Sequence, residues 1–231
     1  MIPLRDNIPS RRTPVMTVGL IAVNILVFLN QAMLPSREAA GFIKLYGLIP
    51  LEISSGELLV QHPVPLYATV FTSMFVHGGL FHLGGNMLYL WIFGDNVEDQ
   101  MGRLKFLVFY LLAGLAAAAA QIWANPASKI PMIGASGAIS GVLGAYLFLF
   151  PRARVLTLIP LGFFYRLIEI PAMVVLGLWI IVQVLNGAMT LGAQAGGVAW
   201  LAHVGGFVAG LVMVIPFAGR RKQRDWEDQL V

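Results

Sequence analysis

Two side chains of this 231-residue sequence have the types and settings of a nucleophile and its base: Ser136, in Gly134-Ala135-Ser136-Gly137, and His203, in Ala202-His203-Val204-Gly205-Gly206. Each stands at the start of a long apolar run. A hydroxyl attacks poorly until a base takes its proton, and imidazole is the one side chain whose unperturbed pKa suits that task near neutral pH. The chemistry offered is hydrolysis of a peptide bond inside a bilayer. The ordinary alternative for Ser136 is a helix N-cap. Its setting favours more, because Gly134 and Gly137 allow a sharp turn and a close approach by a substrate chain. A helix N-terminus also turns free N–H groups toward any anion formed beside it. Ser140, one turn deeper and without flanking glycines, is expected to bond back to a carbonyl of its own helix.

For His203 the alternatives are a satisfied core histidine or a helix-helix hydrogen bond. Ionisable groups within a membrane are costly, however, and usually face a cavity or a partner. Gly206-x-x-x-Gly210 on one segment, and Gly137, Gly141 and Gly144 on the other, would let two helices pack almost backbone to backbone and bring Ser136 to His203. Apart from Asp95, at the far end of the second apolar run and thirteen residues from His82, no Asp or Glu falls inside the runs expected to cross, so the carboxylate of a triad is missing and a dyad is expected. His82 and Asn86 are four residues apart, hence on one helix face, with donors suited to a developing oxyanion. Interhelical bonding is the alternative for Asn86. His77 is five residues from His82, a poor helical match, and is expected to brace a loop or the rim of a cavity.

These residues need helices to position them. The chain is 58% hydrophobic and only 11% charged, which excludes an ordinary soluble domain. Six stretches have the length to cross a hydrocarbon core: about 17–34, 80–97, 104–123, 136–150, 170–188 and 198–217. Residues 35–79, with Pro35, Pro50, Pro63 and Pro65, are expected to form a long, partly embedded loop. The fold class is therefore an all-α polytopic membrane protein of six transmembrane helices, with 1–13 an N-terminal segment, 14–217 the membrane domain and 218–231 a basic tail. No cleavable signal precedes the first span, which is expected to be retained.

Of fifteen Lys and Arg residues, twelve lie on the side of both termini and only Arg37, Lys44 and Lys129 on the other, which predicts cytoplasmic termini. Spans two, four and six then run inward, and His82, Ser136 and His203 all fall within roughly 8 Å of the outer ends of their helices. Span four, about 15 residues or roughly 22 Å, is short against a core of about 30 Å and would leave a wet hollow above Ser136. Span five, with Trp179, and the loop from Gly192 to Gly197 are candidate moving parts for substrate entry.

With Gly134-x-Ser136-Gly137, Ala202-His203-x-x-Gly206, and His77, His82 and Asn86 in place, the chain resembles the rhomboid family of intramembrane serine proteases over roughly 14–217. The resemblance implies a six-helix rhomboid-like bundle. It makes Ser136 the nucleophile, His203 the base, and His82, Asn86 and the Ser136 N–H the oxyanion hole. Glu98, in Gly94-Asp95-Asn96-Val97-Glu98, would hold the inner end of span two. Substrates would be single-pass membrane proteins cut near the outer face, with no cofactor and no metal. Two departures stand out. Many relatives carry a Trp-Arg pair where this chain has Leu66-Tyr67-Ala68-Thr69, and some carry an aromatic residue where it has Ser140, leaving His203 without an evident orienting group.

Other functions fit less well. An inactive rhomboid-like protein that binds membrane clients would not need intact Ser136, His203, His82 and Asn86. A transporter would be expected to show intramembrane charge or paired broken helices. A zinc protease needs a motif such as His-Glu-x-x-His, which His62, His77, His82 and His203 do not form. Zero cysteines exclude disulfides, thiolate metal sites and a cysteine nucleophile. Basic residues gathered at helix ends argue against nucleic acid. The tail Arg220-Arg221-Lys222-x-Arg224 reads as a topology signal or a contact to anionic lipid. A prokaryotic cell membrane is the expected location, and oligomeric state is left open.

Overall fold

The computed structural model describes residues 1–162, 164–190 and 198–218; the glycine loop at 192–197 and the basic tail lie outside them. In chain order the elements are β1 (Ile2–Asp6), α1 (Val15–Ala32), α2 (Ser36–Tyr46), α3 (Pro50–Ser55), α4 (Thr69–Thr72) flanked by 3-10 turns at Leu66–Ala68 and Ser73–Phe75, α5 (Leu80–Met101), α6 (Arg103–Ala124), α7 (Ser136–Leu149), β2 (Arg154–Leu161), β3 (Phe164–Pro171), α8 (Ala172–Met189) and α9 (Trp200–Phe217). Helices occupy all six expected positions. Four of them, α1, α6, α8 and α9, are long and apolar enough to cross a bilayer.

α7 is the axis of the bundle, with Ala138 through Tyr146 buried without a break. Its glycines set the packing. A methyl group at Gly206 would collide with the Gly137 carbonyl, one at Gly210 with the Gly141 carbonyl, and one at Gly144 with the Phe207 carbonyl. α7 and α9 thus touch backbone to backbone, the close approach that small residues make possible within a membrane.

Two expectations are corrected. The segment 35–79 is not a plain loop, since it folds into α2, α3, α4 and the two 3-10 turns. Its prolines begin helices rather than forbid them: Pro35 precedes α2, Pro50 is the first residue of α3, and Pro65 precedes a 3-10 turn, places where a missing N–H costs nothing. Nor is the chain all-α. β1, β2 and β3 form an antiparallel sheet in that order, and the N-terminal segment supplies its first strand. Val155, Leu156, Thr157, Leu158 and Ile159 suit a strand, Gly162 turns the hairpin at φ +65°, and the pairing of β1 shifts register next to Pro3, which has no N–H to give. Asp6 ties this sheet to the bundle, its carboxylate accepting from Asn96 Nδ2 at 2.9 Å and from the Tyr146 hydroxyl. Burial pushes the Asp6 carboxyl up to about 6.

The sheet lies where α7 ends and α8 begins, whereas Ser136 opens α7 at its other end. At the sheet end of the bundle Glu98 accepts from the backbone N–H groups of Met16, at 3.0 Å, and Thr17, at 2.8 Å, and from the Thr17 hydroxyl at 2.8 Å. A carboxylate thereby satisfies the free donors of the first turn of α1. These bonds join α5 to the start of α1 about 24 Å along α5 from His82.

Candidate active site

Ser136 is not the N-cap of α7. That position belongs to Ala135, and Ser136, the first helical residue, keeps its hydroxyl free of the helix end. Three contacts fix the chain that leads to it. Met132 and Leu48 exchange backbone hydrogen bonds at 2.7 and 3.0 Å, the Gly134 N–H donates to the Ser73 carbonyl at 2.9 Å, and the Ala135 N–H points at His77 Nε2 at 3.5 Å. His77 is held in turn, its Nδ1 facing the Phe75 carbonyl at 3.3 Å and its own carbonyl accepting from Gln31 Nε2 at 2.8 Å. The expected bracing role of His77 therefore has a geometry, directed at the backbone next to Ser136.

Gly134 adopts φ +111°, where an L side chain is strained. A Cβ there would also sit 2.7 Å from His82 Nε2 and 3.6 Å from Asn86 Nδ2. The absent side chain thus leaves room for both residues beside the turn that precedes Ser136. His82 is exposed, and its Nδ1 accepts from the Gly78 N–H at 3.3 Å. Asn86 is buried with its Nδ2 unpartnered, a costly state for a donor unless something else is to occupy that place.

His203, in the first turn of α9, has Nε2 2.7 Å from Ser136 Oγ. Its Nδ1 stands 2.7 Å from Gln183 Oε1. An amide oxygen only accepts, so Nδ1 carries the proton and the Nε2 lone pair faces the serine hydroxyl, the tautomer a general base needs. The rings of Trp179, at 5.9 Å and 32°, and Trp200, at 6.3 Å and 87°, flank the imidazole. Trp179 and Gln183 are four residues apart on α8 and share one face. The group that orients His203 is therefore on α8, where no reading of α7 could find it. An amide inside an apolar span, one of two with Asn186 and one turn from a tryptophan, was the available signal. Ser140 is set aside, as its hydroxyl donates to the Ser136 carbonyl at 2.6 Å.

A serine, its base and an orienting amide now stand in line at the mouth of a glycine-packed helix pair, and residues 66–220 match the Rhomboid domain model. The chain belongs to the rhomboid family. It is 26% identical over 200 residues to a yeast (Saccharomyces cerevisiae) protein named Rhomboid protein 1, mitochondrial, covering 84% of this chain and 51% of that one. It is 29% identical over 206 residues to Rhomboid protease GluP of Bacillus subtilis, covering 89% and 36%. The human presenilin-associated rhomboid-like protein, mitochondrial, is 29% identical over 140 residues, covering 59% and 33%. The chain thus spans between a third and about half the length of these relatives. Two of the three are named mitochondrial, which gives no support to the expectation of a prokaryotic membrane. The match and the membrane helices bear out the resemblance to the rhomboid family. Leu66-Tyr67-Ala68-Thr69, the departure before span two, forms a 3-10 turn running into α4, with Thr69 fully buried and its hydroxyl donating to the Leu66 carbonyl at 2.6 Å.

Proposed function

We propose that this rhomboid chain is an intramembrane serine endopeptidase that crosses the bilayer six times, with both termini cytoplasmic, and cuts transmembrane segments of other membrane proteins near the outer face. The observation that carries this reading is the continuous line from Gln183 Oε1 through His203 to Ser136 Oγ, 2.7 Å at each link. His203 Nε2 takes the hydroxyl proton as Ser136 Oγ attacks the scissile carbonyl. The carbonyl oxygen gathers charge, and the Ser136 N–H, His82 and the unpartnered Nδ2 of Asn86 donate to it; losing one such donor typically costs about 2.7–4 kcal/mol of transition-state stabilisation. Collapse breaks the C–N bond, with the His203 proton passing to the leaving amine and the acyl group left on Ser136. Water, deprotonated by His203, then attacks the acyl carbon, and the proton returns to Ser136 as the new carboxyl leaves. Half-buried Ser136 and exposed His82 give that water a way in.

The competing function is a rhomboid protein that binds membrane clients without cutting them. Cleavage of a fluorogenic transmembrane-segment substrate by the purified chain, beside Ser136→Ala and Ser140→Ala, separates the two. Activity abolished by Ser136→Ala and kept by Ser140→Ala is expected. Failure of the unmodified chain on a panel of such substrates, together with no labelling by a fluorophosphonate, would establish the client-binding function instead.

A further inference from the structure

The β2–β3 hairpin carries an apolar surface that hydrolysis does not use. Val155 and Thr157 on β2 are fully buried against the bundle, so the inner half of the sheet is held under the helix ends. The outer half is bare: Leu161 is 53% exposed, Phe164 78%, Tyr165 72% and Leu167 54%. The register puts apolar groups on both faces, with Leu161 opposite Phe164 on one and Leu158 opposite Leu167 on the other. Ile2 of β1, opposite Leu158, extends the second row. About four residues per strand, or roughly 13 Å, reach beyond the part that the bundle covers. An apolar patch of this kind on a protein surface marks a contact with lipid or with another protein.

We propose that the hairpin tip docks into the headgroup layer of the leaflet at the sheet end of the bundle, with anionic phospholipid as its partner. Continuity with the membrane-facing wall carries the choice of lipid. β3 passes into α8 without a linker, Pro171 to Ala172, and the outward side chains of α8 begin at once with Met173, Val174 and Leu178, all exposed and apolar. The surface that meets the hydrocarbon core therefore runs on into the hairpin. Charge agrees: of the sheet's charged side chains Arg5, Arg154, Arg166 and Glu169 are exposed while Asp6 is held against the bundle, and Arg166 lies in the bare outer half opposite Ile159. Arginine stems that lie along apolar surface and lift their guanidinium groups to lipid phosphates suit that depth, as does a tyrosine at the tip.

The sequence contains no cysteine, so a single introduced thiol can be labelled without background. Phe164→Cys and Tyr165→Cys, each carrying an NBD fluorophore, would be reconstituted as full chains in vesicles of phosphatidylcholine with or without phosphatidylglycerol. Val182→Cys on the outward face of α8 gives the lipid reference and Glu57→Cys the aqueous one. In vesicles with phosphatidylglycerol the expected result is blue-shifted emission at both tip sites, quenching by lipids spin-labelled near the headgroup, and severalfold weaker quenching by iodide than at position 57. Emission shifts back toward the red when phosphatidylglycerol is left out. Iodide quenching equal to that at position 57 would overturn the proposal. Shielding from iodide without quenching by spin-labelled lipid would overturn it too, and would assign the patch to a second copy or another protein. Lipid quenching indifferent to phosphatidylglycerol would refute the anionic partner. Unchanged helical circular dichroism in each variant shows that the fold is intact, and the outcome does not depend on whether the chain cleaves anything.

Discussion

α9 has two neighbours that share in the site, and it meets them in opposite ways. Toward α7 the contact is glycine against carbonyl, at Gly137 with Gly206 and at Gly141 with Gly210, with no side chain between. Toward α8 it is made by side chains, and α8 buries only Ala172, Val175, Leu176, Gln183 and Gly187 of its eighteen residues. The nucleophile and base ride on the first contact, and the group that orients the base rides on the second. Backbone packing has no rotamers to give, so the Ser136–His203 distance is fixed, whereas the alignment of the imidazole depends on a helix that is free to shift by repacking side chains. On the proposed function, the site would hold its reacting pair rigidly and still admit a helical substrate from the α8 side.

The largest expected effect comes from breaking the rigid contact. Gly206→Val drives a branched side chain into the Gly137 carbonyl, and a loss of about 3 kcal/mol or more in stability, with complete loss of cleavage, is expected in thermal unfolding and activity assays in detergent. Weakening the other contact should spare the fold and hurt the chemistry. Gln183→Leu is expected to lower kcat/KM on the order of 10- to 100-fold with little change in melting temperature. Gln183→Glu sharpens the point, because a carboxylate beside Nδ1 favours the imidazolium. The acid limb of the pH–rate profile should therefore move to higher pH, a shift that a merely structural role would not produce. Full activity in Gln183→Leu would mean that α8 does not orient the base.

The smallest effect concerns Asp6, which fastens the sheet to α7 rather than to α8. Its folded pKa, about 6, lies above the ordinary value of 3.8, so the protonated form is the one that folding favours. The stability it contributes is complete below about 4 and is lost as pH rises through about 6. Melting should be higher at pH 5 than at pH 7 by roughly 1 kcal/mol after screening by water, and Asp6→Asn should flatten the difference.

Ser136, His203, His82 and Asn86 were legible in the sequence because each is a polar residue in an apolar run, with glycines nearby that no packing of large side chains would require. The glycine pattern even named the helix pair. Gln183 was not legible as a partner of His203, since twenty residues separate them and their meeting depends on how α8 leans on α9. The sheet was hidden for another reason. Residues 154–171 are largely apolar without strict alternation, and Asp6, which anchors them, finds Asn96 and Tyr146 only after the chain has folded across ninety residues and more. In 35–79 three of the four prolines, Pro35, Pro50 and Pro65, stand at helix starts, where the residue that ends one helix pattern also opens the next.

One junction bears on how the chain enters its membrane. α5 and α6 are joined by Gly102 alone, at φ +81°. α5, with His82, Asn86, Asn96 and Glu98 along its length, is not among the helices apolar enough to cross by themselves, while α6 is. A one-residue hinge leaves no slack for the two to be threaded separately. On the six-span reading they would partition as a single helical hairpin, in which the lipid affinity of α6 carries in a polar companion.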